Sequence, residues 1–484
     1  MTELSKELIV KFLIKRNILP IPSILEQIKQ IKTVDELEEF VKKNRNVENG
    51  VDNSDLTIKE GRVEVISSYE EHVKKREISD FITHYNNRFK TLSTILRSRD
   101  LDNLTSIRRL ADMKNEDVSI IGMIWEKGET KNGHIMLELE DRTGKIKVLI
   151  SKNKSDLFEI GRNLVFDEVI AVSGRMNKDG DLLFANDLIY PDIPMGKILK
   201  KSQEEGSVVF TSDLHIGSKY FYAKEFESFI NWINSNKKVK YLVIAGDVVE
   251  GVGIFPGQEK EVSCATLTEQ FTLLKLYLEK ISKKIKIIIC PGNHDGVRLA
   301  EPQPPFNPKY IKEIKDMPNV ILVSSPSIVN IDKTENFEGF NILLYHGFSL
   351  PYYGDKVPEI REQGGLEKTD LVMKYFLQRR HLAPSHGSTQ FIPDIRKDFL
   401  LIEKVPDFFV TGHVHKIIIG EYRGVTLLNT SAWVKETEYQ SRFGLKPDNC
   451  RAIIIDLKTR DLKILNFLKE ENSNSTNQEE IKIE

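Results

Sequence analysis

Apolar side chains recur at helical spacing near the start of the chain, where Leu4, Leu8, Ile9, Phe12 and Leu13 share one face of a predicted helix. Ile18, Leu19, Pro20, Ile21 and Pro22 interrupt it. Ser23 with Glu26, and then Thr33 with Glu36, carry the capping-box signature that opens two further helices. Residues 1–46 are therefore expected to form a small N-terminal helical module. Beyond them the apolar stripe fades, and residues 47–79 read as a polar linker. Residues 80–114 are expected as a helical or irregular connector. Aromatic and basic residues mix there: Phe81, Tyr85, Arg88, Phe89, Lys90, Arg97, Arg99, Arg108 and Arg109. A solvated helix face explains that mixture more simply than a nucleic-acid contact does.

The period then changes to two. Residues 118–125 predict a strand, followed by Ile135, Leu137 and Leu139, then Ile146, Val148 and Ile150, each set in alternation. A short helical stretch at 155–160 precedes strands at 168–174 and 181–190. Five strands with a helix between the third and fourth, over residues 115–195, describe an OB-fold β-barrel. Such barrels bind single strands or serve as protein contacts. The stacking candidates Trp125, Phe158, Phe166, Phe184 and Tyr190 are expected mostly in the core. Residues 191–206, with Lys197, Lys200 and Lys201, read as a linker. Over 207–468 strands and helices alternate, which predicts an α/β domain of layered sheets. Residues 469–484 are rich in Asn, Ser and Glu and are expected to be a disordered tail. The fold class is thus multidomain α+β.

Composition narrows the function little. With 484 residues, 40% hydrophobic and 29% charged, the chain has ample material for two to four domains. A net charge of −2 excludes a globally basic nucleic-acid binder but not a local basic groove. Three scattered cysteines, Cys264, Cys290 and Cys450, exclude a cysteine zinc site and a disulfide framework. No signal-like start and no membrane-length apolar run is found, so a cytoplasmic protein is expected.

Chemistry gathers at strand ends. The apolar run 285–290 stops at Pro291-Gly292, and Asn293, His294 and Asp295 follow. An amide oxygen suits a metal ion, an imidazole binds metal or carries a proton, and a carboxylate can orient the imidazole. Strand 208–212 ends in Asp213-Leu214-His215, a spacing that on extended chain would turn both side chains to one side. Strand 241–245 ends in Gly246-Asp247, strand 342–345 in His346-Gly347, and strand 408–410 in Thr411-Gly412-His413-Val414-His415. Asp213, His215, Asp247, Asn293, His346, His413 and His415 make seven O and N ligands, too many for one tetrahedral zinc. They suit two divalent ions about 3.5–4 Å apart that share a carboxylate. Mixed imidazole and carboxylate ligation is open to Mn, Fe or Zn.

This order of motifs resembles the calcineurin-like metallophosphoesterase superfamily over roughly residues 207–440. The resemblance implies one ion held by Asp213, His215, Asp247 and His415, and a second by Asp247, Asn293, His346 and His413. It makes His294 the general acid, oriented by Asp295. The stretch from Asp247 through Glu250, Gly251, Gly253 and Pro256 to Gly257-Gln258-Glu259 resembles the accessory small subunits of replicative DNA polymerases. Leu377-Gln378-Arg379-Arg380-His381-Leu382-Ala383-Pro384, and the Gly412–His415 motif with Tyr422-Arg423-Gly424-Val425, look like the archaeal branch, the small subunit of family D DNA polymerase. The eukaryotic accessory subunits have generally lost the metal ligands, whereas here every ligand position is filled. The resemblance therefore implies a proofreading 3′-to-5′ exonuclease working with two divalent ions, Mn first among Mn, Fe and Zn. Its partners would be a large subunit that polymerises, DNA with a 3′ end, a sliding clamp and a primase, with no membrane. The barrel and the α/β domain would grip the large subunit. A non-catalytic scaffold and a free-standing nucleotide phosphodiesterase are the alternatives.

Overall fold

The structure is a computed structural model that describes Glu36 and residues 62–435, 446–468 and 477–481. The helical module expected over 1–46 falls, apart from the helical Glu36, outside the described residues. The chain divides into two compact units, Met1–Lys59 and Glu60–Glu484, and the second carries every element below.

Within the expected linker lies a strand, Val63–Ser68 (β1), paired antiparallel with residues 327–331 and bulged between Val65 and Ser67. An edge strand is paired on one side only, so Glu64, Val65 and Ile66 are left exposed, and the bulge breaks the period-two signal. Ile78–Arg97 (α1) follows, opened by a capping box between Glu77 and Asp80. Its buried positions, Asp80, His84, Arg88, Leu92 and Leu96, recur every four residues. The solvated-face expectation fails at Arg88, whereas Lys90, Arg97, Arg108 and Arg109 are exposed. Arg88 Nε lies 2.7 Å from Asp398 Oδ2, and the same oxygen is 2.8 Å from His381 and 3.3 Å from His84, all in the interior.

The barrel comprises Asp117–Glu129 (β2), Ile135–Asp141 (β3), Gly144–Ile150 (β4), Ser155–Arg162 (α2), Val169–Met176 (β5) and Leu182–Ile189 (β6). The strands close in the order β2-β3-β4-β6-β5. Leu137 faces Val148 across β3 and β4, and Leu139 faces Ile146, so the alternation seen in the sequence fills the interior. Three of the aromatic residues expected in the core are instead exposed: Trp125 (53%), Phe166 (47%) and Phe184 (44%). Trp125 falls at the irregularity between Ile124 and Glu126, and Phe184 points outward between inward Leu183 and Ala185.

The α/β part runs Ser207–Thr211 (β7), Ala223–Ser235 (α3), Val239–Ala245 (β8), Leu267–Glu279 (α4), Lys286–Cys290 (β9), Pro308–Lys315 (α5), Val320–Leu322 (β10), Ser327–Ile331 (β11) and Phe340–Leu344 (β12). Leu350–Lys356 (α6), Pro358–Glu362 (α7), Thr369–Arg379 (α8), Phe408–Thr411 (β13), Ile418–Tyr422 (β14) and Val425–Asn429 (β15) follow. Arg451–Asp456 (β16), Leu462–Asn466 (β17) and Asn477–Ile481 (β18) complete it. One sheet is ordered β1-β11-β12-β13-β15-β14 and the other β10-β9-β8-β7-β16-β17-β18. The last strand, β18, lies in the expected tail: it pairs antiparallel with β17 as an edge. Its polar sequence gives no apolar alternation.

The sheets stack face to face through an apolar layer that includes Phe210, Tyr241, Phe340, Leu344, Phe408 and Val410. Phe408 touches both Phe210 and Phe340 at 5.6 Å between ring centroids. Helices α3, α4 and α5 cover the outer face of one sheet, and α6, α7 and α8 that of the other. The result is four layers, and the central strands β7, β8, β9, β12 and β13 are buried on both sides. Residues 191–206 are pinned rather than loose: Lys197 and Lys200 reach Asp407 at 2.8 and 3.1 Å. The barrel is locked to the α/β part by Arg379, whose guanidinium lies 3.9 Å from the Tyr190 ring centre and 3.7 Å from that of Tyr375, with Glu168 at 3.3 Å. Among the described residues no helix is long and apolar enough to cross a membrane.

The buried cluster that clamps α1 gives a pH signature. Burial, reinforced by Arg88, pushes His381 down to about 4. As pH falls from the ordinary 6.5 toward 4 the unfolded chain takes up a proton that the folded chain refuses, so stability falls across that window. His381→Gln removes this titration. The parent's stability advantage over the variant, measured by urea unfolding, is expected to be constant above pH 7 and to shrink steadily between pH 6.5 and 4.

Candidate metal centre

Strands β7, β8 and β9 are mutually parallel in one sheet, and β12 and β13 are parallel in the other. Their C-terminal ends carry all seven predicted ligands. The backbone does not stay extended there. Asp213, His215, Asp247, His413 and His415 all adopt left-handed φ between 50° and 70°. The expectation that Asp213 and His215 share a side through strand alternation is therefore corrected. The post-strand segments are instead zipped together, Asp213 N–H to Gly246 O at 2.9 Å and His215 N–H to Asp247 O at 3.0 Å. Non-glycine residues in this region are strained, and such strain persists where surrounding structure over-determines it. Two glycines permit the close approach. A Cβ on Gly292 would stand 2.2 Å from Asp247 Oδ1, and one on Gly412 would stand 2.5 Å from Asp213 Oδ2.

The carboxylates are held by backbone donors. His413 N–H reaches both oxygens of Asp213 at 3.2 and 3.1 Å, and His294 N–H reaches Asp247 Oδ1 at 2.8 Å. Two imidazoles are tied from behind. His346 donates from Nδ1 to the Ala245 carbonyl at 2.8 Å, and His215 Nδ1 lies 3.0 Å from Glu250 Oε2. A carbonyl can only accept, so His346 Nδ1 carries the proton and Nε2 presents a lone pair to the site. That Nε2 lies 3.1 Å from Asp247 Oδ2 and 3.0 Å from Asn293 Oδ1. His215 Nε2 lies 3.3 Å from His415 Nε2, which is itself 3.3 Å from Asp213 Oδ1. Lone pairs aimed at lone pairs in a buried space repel one another, and a shared cation removes that repulsion.

The electrostatics agree. Burial opposes charge on Asp247, yet His346 and His294 hold its carboxyl well below the usual range. Burial likewise opposes charge on His346, but Asp247 pushes it up to about 10. His215, also buried, is pushed up to about 9 by Glu250. Protons on these rings take the place that positive charge must fill. Asp213, His215 and His415 form one group with ligand atoms within 4.8 Å of one another, and Asp247, His346 and His413 form a second. Asn293 lies against the second group through His346. The donor set fits two divalent ions of borderline character.

His294 and Asp295 do not form the expected pair. Asp295 accepts from Val249 N–H at 3.0 Å and from Gly292 N–H at 2.8 Å, which ties the segment after β8 to the turn after β9. Burial and the charge of Asp247 push its carboxyl up to about 8. His294 is oriented instead by the Glu250 carbonyl, 2.7 Å from its Nδ1. Glu250 thus serves two imidazoles at once, and sequence reasoning did not place it among the site residues. Its only signal there was a carboxylate three residues after Asp247, in a turn.

Residues 208–417 match the family of DNA polymerase alpha/epsilon B subunits, and residues 118–187 match the OB-fold nucleic acid binding domain. The chain is 36% identical to the DNA polymerase II small subunit of Halobacterium salinarum over 81% of its own length and 75% of that protein's. The protein of the same name from Archaeoglobus fulgidus is 38% identical over 76% of this chain and 73% of its own. That of Thermoplasma acidophilum is 31% identical over 96% and 94%.

Removing Glu250 frees His215 Nδ1 and leaves the ring to turn. Glu250→Ala is expected to lower affinity for Mn²⁺ by about 10–100-fold, measured by calorimetric titration. Asp295→Asn should lower the melting temperature with little change in that affinity. The reverse pattern would return Asp295 to the centre and remove Glu250.

Proposed function

Because the chain belongs to the family of DNA polymerase II small subunits, we propose that it is the 3′-to-5′ proofreading exonuclease of a replicative polymerase whose large partner subunit carries polymerisation. The observation that carries this reading is the convergence of seven electron-rich side chains, with the Nε2 lone pairs of His215 and His346 turned inward. A scaffold has no use for such a costly arrangement. Asp213, His215, Asp247 and His415 would hold one divalent ion, and Asp247, Asn293, His346 and His413 the other, manganese in our reading. When bound, such ions supply Lewis-acid charge to a phosphate and make a nucleophile available at neutral pH.

The chain's own residues do the rest. His294 stands beside the ligands without being needed as one. Its Nδ1 proton is held by the Glu250 carbonyl, so Nε2 gives up a proton only from the imidazolium form, which burial opposes and the charge of Asp247 favours. In diester hydrolysis the oxygen of water joins phosphorus and the bond from phosphorus to the 3′ oxygen breaks. That 3′ oxygen takes the proton from His294 Nε2. The products are a nucleoside 5′-monophosphate and a strand one residue shorter. Glu250 holds His294 by its carbonyl and His215 by its carboxylate, so the proton donor and one ion share a support.

Incubation of the full chain with Mn²⁺ and a 5′-labelled single strand should yield a ladder that shortens from the 3′ end. Elemental analysis should find two ions per chain. His294→Ala is expected to keep both ions and to lose about 10²–10⁴-fold in turnover. A single ion, an unchanged ladder with His294→Ala, or no cleavage of any strand by the parent would overturn the reading.

A further inference from the structure

Glu250 is also where a loop leaves the centre. Gly251 has φ +80°, and a Cβ there would stand 2.4 Å from the His294 carbonyl oxygen, so the loop starts in contact with the proton donor's backbone. Two buried glutamines fix its stem. Gln270 grips Gly251 from both sides, accepting from its N–H at 2.9 Å and donating to its carbonyl at 3.0 Å. Gln258 donates to Glu250 at 3.0 Å and accepts from Ile254 N–H at 2.9 Å. Between these pins the tip presents Val252, 49% exposed, with Ile254 and Phe255 partly exposed. The returning limb joins the segment that follows ligand His215. Lys219 N–H donates to Glu261 O at 2.8 Å, and Ser263 N–H to Gly217 O at 2.7 Å. There Lys219 and Tyr220 face solvent, Tyr220 at 39%. That segment is tied to the other ligands as well: Lys435 N–H donates to Tyr220 O, and Trp433 N–H to Asp213 O.

Val252 and Tyr220 are exposed on the loop and the segment that border the polar centre, and an apolar side chain and a ring so placed suit a partner with flat apolar faces. Buried amide clamps show that the shape of this loop is specified, because a free loop needs none. The flat face of Tyr220 and the apolar tip match the faces of bases, and Lys219, next to Tyr220 in the chain and held by the Lys260 carbonyl at 2.7 Å, adds positive charge that suits a backbone phosphate. Bases offer their faces only when unpaired. Resting on the hydrolytic reading above, we propose that the 251–263 loop and the 217–222 segment form a binding surface for single-stranded DNA, gripping the nucleotides on the leaving-group side of the scissile phosphate. The surface would then select strands whose 3′ ends have frayed, which is the state a mispaired terminus adopts.

The test uses the full chain, a fluorescent single-stranded oligonucleotide in EDTA, and bis(p-nitrophenyl) phosphate with Mn²⁺. Tyr220→Ala and Val252→Ser should each weaken oligonucleotide binding, read by anisotropy, at least about fivefold. Hydrolysis of the small diester should stay at the parent's rate, because that substrate has no neighbouring bases. Binding within twofold of the parent for both variants overturns the proposal, as does a fall in diester hydrolysis in step with binding. Unchanged DNA binding together with loss of a protein partner would assign the loop to that partner and equally overturn it. If the variants lose binding while the parent cleaves neither substrate, the hydrolytic reading fails and the surface stands.

Discussion

Carboxylates and imidazoles whose lone pairs all point into one water-poor space will not stay together unless something rigid holds them. That constraint organises the molecule. Taking such groups out of water costs several kcal/mol each before any partner arrives. The cost is met by strands that have no freedom to yield: β7, β8, β9, β12 and β13 are buried along their whole described length apart from Lys286, and Phe210, Phe340 and Phe408 interlock the sheets behind them. Backbone N–H groups of His413 and His294 then fix the carboxylates, and Gly292 and Gly412 leave the room that this needs.

Support for the centre is layered outward from the ligands. Glu250 touches His215 and His294, Gln258 holds Glu250, and Gln270 holds the next residue. One residue outside the predicted ligand set therefore directs two imidazoles, His215 through its carboxylate and His294 through its backbone carbonyl. The barrel is added to this core as a fixed attachment, since Arg379 is enclosed by Tyr190, Tyr375 and Glu168.

The five ligand-bearing strands were legible because strands buried on both faces are written as unbroken apolar runs, and the chemistry sits at their ends. The barrel was legible because a closed sheet keeps period two. What escaped depends on partners far away or on backbone groups. Arg88 is buried because Asp398, 310 residues on, receives it. Asp295 looked like the orienter of His294 because the two are adjacent, yet its partners are N–H groups that carry no sequence signature. Edge strand β1 is short and bulged and β18 is polar, so neither stood out from a linker or a tail. The left-handed turns after β7 and β13 fall on Asp and His, where no glycine announces them.

The order of strands in the larger sheet has a consequence for how the chain is made. Barrel pairing is complete once Ile189 has emerged from the ribosome, and its contacts are local enough to form early. Strand β7 lies between β8 and β16, so the strand leading to Asp213 and His215 keeps an open edge until Asp456 has been synthesised. Asp213, His215, Asp247 and Asn293 are produced well before His346, His413 and His415. A nascent chain therefore passes through a stage with four of the seven predicted ligands, a central strand paired on one side only and a finished barrel. Assembly of the centre is among the last events of synthesis, and the time between those two halves is when this chain is most open to pairing with the wrong strand.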